Sequence, residues 1–303
     1  MFFNYLNSLP PAIAQGLIWG IMAIGVYITY KVLDFADLTV DGSICTGAAV
    51  CAVLITNGYS MPVALISATL AGMATGFVTG IFHTLMGIPA ILSGILTQLV
   101  LWTVNLKIMG AANIALSIRN FDLIVTNMDI YVYKTIFVLI LFGFGLVALL
   151  YMFFGTEFGA SIRSTGANLS MSRAQGINTN FTKIFGLVLS NGLVALSGAL
   201  LAQYNGASDI NMGKGAIVIG LAAVIIGEAL FGWMSRNNFA IKLFTIILGA
   251  IVYYIVYSTV IFLGLDPDYL KMLSAILVAI FLAVPHWKKN AHLFSKKNKK
   301  GVA

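Results

Sequence analysis

Charge is scarce in this sequence: only 9% of its 303 residues are Asp, Glu, Lys or Arg, against roughly 25% in soluble domains. That shortage excludes an ordinary cytosolic enzyme. Cysteine is scarcer still. Cys45 and Cys51 lie in one apolar segment, too few for a disulfide framework, and read as buried free thiols. The histidines His83, His286 and His292 are scattered, with no Cys or His at ligand spacing, so no metal site is predicted. A phosphate-cradling loop needs glycines flanking four residues and then Lys-Ser or Lys-Thr. Gly213-Lys214-Gly215 does not satisfy that, so the chain is expected not to bind ATP by such a loop, and an active transporter would need its nucleotide site on another subunit; no catalytic residue and no cofactor are expected in this chain.

What is abundant is apolar sequence, at 60% of the chain. Crossing ~30 Å of hydrocarbon takes about 20 helical residues with every backbone polar group paired internally. Apolar runs bounded by Gly, Pro, Asn and charges predict spans near 12–30, 42–57, 62–84, 88–106, 131–154, 182–204, 214–232, 239–264 and 269–286. The expected class is an all-α polytopic membrane protein with about nine transmembrane helices, in a range of 8–10. The runs at 42–57 and 88–106 are short and interrupted, so either could be partly re-entrant. Residues 1–286 form a single transmembrane domain. The first run lacks a basic flank or cleavage site and reads as a retained helix.

Of 17 Lys and Arg, six lie in the tail 287–303, as Lys288, Lys289, Lys296, Lys297, Lys299 and Lys300. That is a membrane-flanking cluster, not a nucleic-acid groove. Basic residues are held on the cytoplasmic side. With the tail inside, Lys31, Arg163, Arg173, Lys183, Arg236 and Lys242 join it, leaving Lys107, Arg119, Lys134, Lys214 and Lys271 outside. The localisation expected is therefore a multi-pass cell-membrane protein with a cytoplasmic C-terminus, an external loop at 107–130 and an internal one at 155–181.

Several polar residues are candidates for a translocation path. Asp34, Asp37 and Asp41 cluster where the first span gives way to the second. They read either as turn and cap acids, with Asp41 or Ser43 capping a broken helix, or as the lining of a path at a discontinuous helix. Gln98, Trp102 and Asn105 share one helix face, as pathway stripe or as helix–helix hydrogen bonding. Asp37-Leu38-Thr39-Val40-Asp41-Gly42-Ser43 echoes Asp209-Ile210-Asn211-Met212-Gly213-Lys214-Gly215, each preceding an apolar Gly/Ala run, on opposite sides of the nine-span map. An inverted repeat would produce that placement, and it adds Asp209 and Asn211 to the candidates. Glu228 is the only acid plainly inside a predicted span, which weighs against a proton-coupled carrier. In the internal segment, Ser170-Met171-Ser172-Arg173-Ala174-Gln175 predicts a short surface helix stopped by Gly176, either a solvated loop or a helix that docks into another protein's groove.

The pattern Gly159-x-x-x-Arg163-x-x-Gly166-x-Asn168-x-x-Met171-x-Arg173-x-x-Gly176-Ile177-Asn178, followed by Ser197-Gly198-Ala199, resembles the permeases of ABC importers in the branched-chain amino acid and ribose permease family. The stretch Asp37–Ser43 resembles that family's Asp-Leu-Ser-Val-Gly-Ser with one extra residue. The segment Ala222-Ala223-Val224-Ile225-Ile226-Gly227-Glu228-Ala229-Leu230 is similar to the tryptophan/tyrosine-type branch, which works with lipoprotein-type binding proteins; the sugar permeases carry Gly-Gly near the position of Glu228. The resemblance implies an ABC importer permease fold, a second permease copy as homodimer, separate ATPase subunits carrying ATP and Mg, and an external binding protein. It assigns ATPase coupling to Gly159, Arg163, Gly166, Asn168, Met171, Arg173 and Gly176, with docking helices around 164–176 and an aromatic amino acid as leading substrate. The competing readings are an ion-coupled secondary transporter, an ABC permease for a sugar or nucleoside, and an assembly protein without transport.

Overall fold

The computed structural model describes residues 2–264, apart from 118–120, 122, 128–131 and 235–237, and a few isolated positions beyond 264. Apolar composition and paired backbone groups give a nearly all-helical chain: α1 (Phe2–Tyr27, widening into a π turn at Ile28–Val32), α2 (Val40–Thr56), α3 (Met61–Thr84), α4 (Ala90–Met109), α5 (Val132–Gly155), α6 (Glu157–Ala167), α7 (Leu169–Ala174), α8 (Thr179–Asn205), α9 (Ala216–Phe231) and α10 (Phe239–Phe262). Two three-residue strands, β1 (Asn113–Ala115) and β2 (Ala207–Asp209), pair antiparallel.

Among the described residues six helices are long and apolar enough to cross a membrane, and two apolar helices, α2 and α9, are shorter. Eight of the nine predicted spans therefore have a helix. The ninth, 269–286, and the basic tail lie outside the described residues, as does much of the 107–130 loop. The shortness expected at 42–57 is seen in α2. The run at 88–106 is instead an uninterrupted 20-residue helix, α4. The second broken element is α9, because a turn at 210–215 delays its start.

The core is built around α1 and α8. The apolar window of α8 is 78% buried and that of α5 only 22%, so α8 runs through the middle while α5 lies at the edge. Glycines set how closely α2 can approach α8: a Cβ on Gly47 would collide with the Ala195 carbonyl, and one on Gly198 with the Ile44 carbonyl. Small residues at such crossings let helix backbones meet directly.

The two short helices begin halfway through the bundle and run in opposite directions. After α1 the chain turns back, and Asp37 reaches Asn191 at the midpoint of α8, with Asn191 Nδ2 donating to Asp37 Oδ2 at 2.8 Å. From there α2 runs to the far end of α8, where Gln203 Nε2 meets Cys51 Sγ at 3.6 Å. After α8, β2 and the 210–215 turn bring the chain back to the start of α2. From there α9 runs to the end of α1, where Lys31 Nζ and Glu228 Oε2 are 3.3 Å apart. Both re-entrant segments open with the same local turn: Thr39 N donates to Asp37 Oδ1 at 2.9 Å, and Asn211 N to Asp209 Oδ1 at 2.7 Å. These are the two sequences whose echo suggests an inverted repeat; they share this one turn, after which α2 begins at Val40 but α9 only at Ala216.

Candidate functional site

Where the broken helices meet, Asp41 joins them. Its carboxylate accepts hydrogen bonds from Gly215 N and Ile217 N, both at 2.9 Å. Asp41 also stands in the first turn of α2, so one anion answers the partial positive ends of two helices. The sequence suggested that Asp41 caps a broken helix; the helix it caps is α9, 174 residues further on.

Beside this junction lies a cavity of about 380 Å³, whose polar lining includes Asp41, Gln98, Asn105 and Lys214, with Trp102 and Cys45 in its wall. The stripe Gln98, Trp102 and Asn105 does face one space, as its helical period implied. Asn105 is 1% exposed; its Nδ2 reaches Gly42 O at 3.4 Å, and its Oδ1 has no hydrogen-bond partner among the described residues. Cys45 Sγ donates to Ile210 O at 3.4 Å and accepts from Gly213 N at 3.1 Å, so this thiol pins the re-entrant turn.

The other pathway candidates do not join this cavity. Asp37 and Ser43 lie behind it in a buried network: Ser43 Oγ donates to Asn191 Oδ1 at 2.6 Å and contacts Thr75 Oγ1 at 2.7 Å, while Thr39 Oγ1 meets Thr79 Oγ1 at 2.7 Å and Thr79 Oγ1 donates to Thr97 Oγ1 at 3.0 Å. These bonds join α2, α3, α4 and α8 at mid-depth. The buried Asp37 carboxylate accepts from Asn191 Nδ2 and Thr39 N and has no ion pair among the described residues, so Glu228 is not alone as an acid within the bundle. Asp209 lies near the β1–β2 end, where Asn113 Nδ2 donates to its Oδ2 at 3.3 Å, and Asn211 is exposed there. From the 210–215 turn, Ile210 and Lys214 line the cavity; Lys214, an outer-loop residue on the nine-span map, is the polar one that the sequence reading does not include among the candidates. A lysine directly ahead of an apolar run was the available signal.

The segment 155–181 forms two helices, not one. α6 precedes the expected short helix α7, with Asn168 between them; the Asn168 side chain accepts from Met171 N at 3.0 Å and so caps α7. Gly176 ends the segment at φ +81°, the left-handed stop the sequence implied. Gly159 and Gly166 are closeness devices: a Cβ would strike the Phe153 and Val32 carbonyls respectively. Met171 is 58% exposed at the tip. Arg173 is tied back, its Nε donating to Thr179 Oγ1 at 3.0 Å, and Arg163 faces a cavity beside α1 and α10 rather than the tip. Not foreseen was an aromatic clasp, in which Phe158 of α6 packs edge-on to Phe185 of α8 at 4.8 Å and Phe185 stacks on Phe153 of α5 at 5.8 Å. The clasp holds α6 to two long helices.

Among the described residues no group of three His, Cys, Asp or Glu is placed to hold a metal ion. Residues 11–283 match the family described as branched-chain amino acid transport system, permease component. The chain is 40% identical over 301 residues to the tyrosine transport system permease protein of Clostridioides difficile, covering 97% of this chain and 99% of that one. It is 27% identical over 230 residues to an autoinducer 2 import system permease protein of Salmonella typhi, covering 73% and 63% respectively. A solved structure described as an inward-facing conformation of a metal-chelate type ABC transporter shares the fold, with a TM-score of 0.51 at 16% identity over 93% of this chain and 85% of that one.

Proposed function

Because this chain belongs to the branched-chain amino acid transport permease family, as an ABC-type multi-pass membrane permease, we propose that it is the translocating subunit of an importer for an aromatic amino acid, tyrosine or tryptophan. The observation that carries the proposal is the polar cavity at the junction of α2 and α9. An ionised side chain at hydrocarbon depth costs about 2.5–3.5 kcal/mol or more, so Asp41 and Lys214 belong beside water rather than lipid. The cavity lies on the flank formed by α2 and α4, where Leu99 and Trp102 are 65% and 48% exposed. A second copy apposed on that flank would enclose an aqueous path. Opposite charges on Asp41 and Lys214 with the Trp102 ring between helices complement a zwitterion bearing an aromatic side chain, and the tyrosine permease at 40% identity supports that substrate class.

The driving force comes from a separate ATPase subunit that binds ATP and Mg. Its groove receives α7 through Met171, with the cytoplasm on that side. An external lipoprotein-type binding protein delivers substrate to the opposite face, where β1 and β2 pair. When the ATPase dimer closes, α6 moves with α7, the phenylalanine clasp carries the shift into α5 and α8, and α8 passes it through Asn191 to the start of α2. The two broken helices point to opposite faces, so tilting the junction opens the cavity to one side as it closes the other.

The test is ATP-dependent uptake of labelled tyrosine and tryptophan into proteoliposomes holding this chain with its ATPase and binding protein. Uptake that disappears without the ATPase is expected. Uptake driven by an ion gradient alone would overturn the ABC mechanism here. An assembled complex that moves a sugar or nucleoside and neither amino acid would overturn the substrate.

A further inference from the structure

A second polar cavity uses a different set of helices. Lys31 at the end of α1, Arg163 on α6 and Lys242 in the first turn of α10 line a space of about 370 Å³ with Tyr27 and Asn238. Lys31 is paired with Glu228. Arg163 and Lys242 form no ion pair among the described residues, and no acid lines the space. Its net charge is therefore positive.

Arg163, Asn238 and Phe239 also line an adjoining cavity of about 610 Å³, whose other walls include Tyr151, Met152 and Phe154 of α5. Met152 is 74% exposed, and it continues an apolar outer face on α5 in which Leu141, Phe144 and Leu149 are 66%, 56% and 58% exposed. The cations thus stand at the end of a membrane-length apolar helix, where headgroups lie, and their cavity opens directly onto the surface that hydrocarbon chains would cover. Tyr151, 49% exposed, flanks the opening, as amphipathic rings do at that depth, while Tyr27 forms the buried inner wall.

We propose that these joined cavities bind an anionic phospholipid, with its phosphate held by Arg163 and Lys242 and its acyl chains lying along α5. The guanidinium fork of Arg163 suits a phosphate's two free oxygens, and Lys242 adds a point charge. Basic pockets between transmembrane helices recognise lipid phosphates in this way. An acidic surface of a docked protein would match the cations but leave the Met152 wall without an apolar partner.

The test is native mass spectrometry of the full chain in detergent, offered phosphatidylglycerol or phosphatidylcholine. Wild type should retain phosphatidylglycerol at least five-fold more often, and the double variant R163Q/K242Q should lose that preference. M152Q leaves the cations and the net charge unchanged and should weaken retention by removing the apolar wall for the chains, which keeps the test decisive if the double variant fails to fold. Equal retention of both lipids by wild type, or an intact preference in a folded double variant, would overturn the proposal. So would displacement of the lipid by millimolar inorganic phosphate, which would mark a free-phosphate site, or by the ATPase subunit, which would assign the cations to that protein.

Discussion

One carboxylate, that of Asp41, is shared by the N-termini of α2 and α9, and this double duty makes its contributions separable. Asp41→Ala removes the acceptor for Gly215 N and Ile217 N; losing such a cap costs about 0.5–2 kcal/mol, read as a lower thermal midpoint of the purified permease. Asp41→Asn keeps an acceptor and should restore most of that stability while uptake stays low. Full uptake by the Asn variant would show that the carboxylate serves the helices alone. Lys214 has no such structural role: its backbone N–H donates within the turn while its side chain is exposed at the cavity. Lys214→Gln should therefore reduce uptake at least ten-fold and leave the thermal midpoint unchanged. Legibility in the sequence divides along the same line. Gln98, Trp102 and Asn105 were readable because a helix fixes their common face. Asp37 and Ser43 were not, because a polar residue at a chain break can turn either toward a cavity or toward a neighbouring helix, and the partner that decides it, Asn191, lies about 150 residues away.

The helices themselves were largely written in hydropathy, since a long apolar run has few alternatives in a bilayer. Hydropathy says nothing about where a short helix starts in depth, so it marks no break before α9 and allows one at 88–106, where α4 is continuous. Nor does it register the polar α6, whose burial depends on glycine contacts and on phenylalanines from α5 and α8. Packing at the α2–α8 crossing makes a clear prediction at this scale. Gly198→Ala puts a methyl group into the Ile44 carbonyl and must push backbone apart; it should lower the yield of folded permease sharply, as judged by monodisperse protein after extraction. Gly145 of α5 has open space around its Cβ direction. Gly145→Ala should be tolerated and should gain up to about 1 kcal/mol from helix propensity alone. If both alanines behaved alike, the crossing would not be limited by contact.

At the scale of the whole molecule, transport requires that a push on one face reach a cavity halfway through the bundle. The proposed mechanism divides that route into two separable steps: seating a partner on α7, and moving α5 and α8 once it is seated. Met171 is 58% exposed at the tip, whereas Phe158 sits within the aromatic clasp and is not the tip. Met171→Glu should therefore abolish co-purification of the ATPase while leaving the permease's thermal midpoint in place. Phe158→Ala should keep the ATPase bound and its basal ATP hydrolysis intact, yet lose most substrate-stimulated hydrolysis and uptake, because α6 would then slip against α8 instead of carrying it. The two defects should differ in kind, so a co-purification assay and a stimulated-ATPase assay run on both variants separate them. If Phe158→Ala transported normally, the force would have to reach Asn191 by another path. The direct covalent link from α7 through Gly176 into the start of α8 would then carry it, and a variant that lengthens that link by two glycines should fail where Phe158→Ala did not.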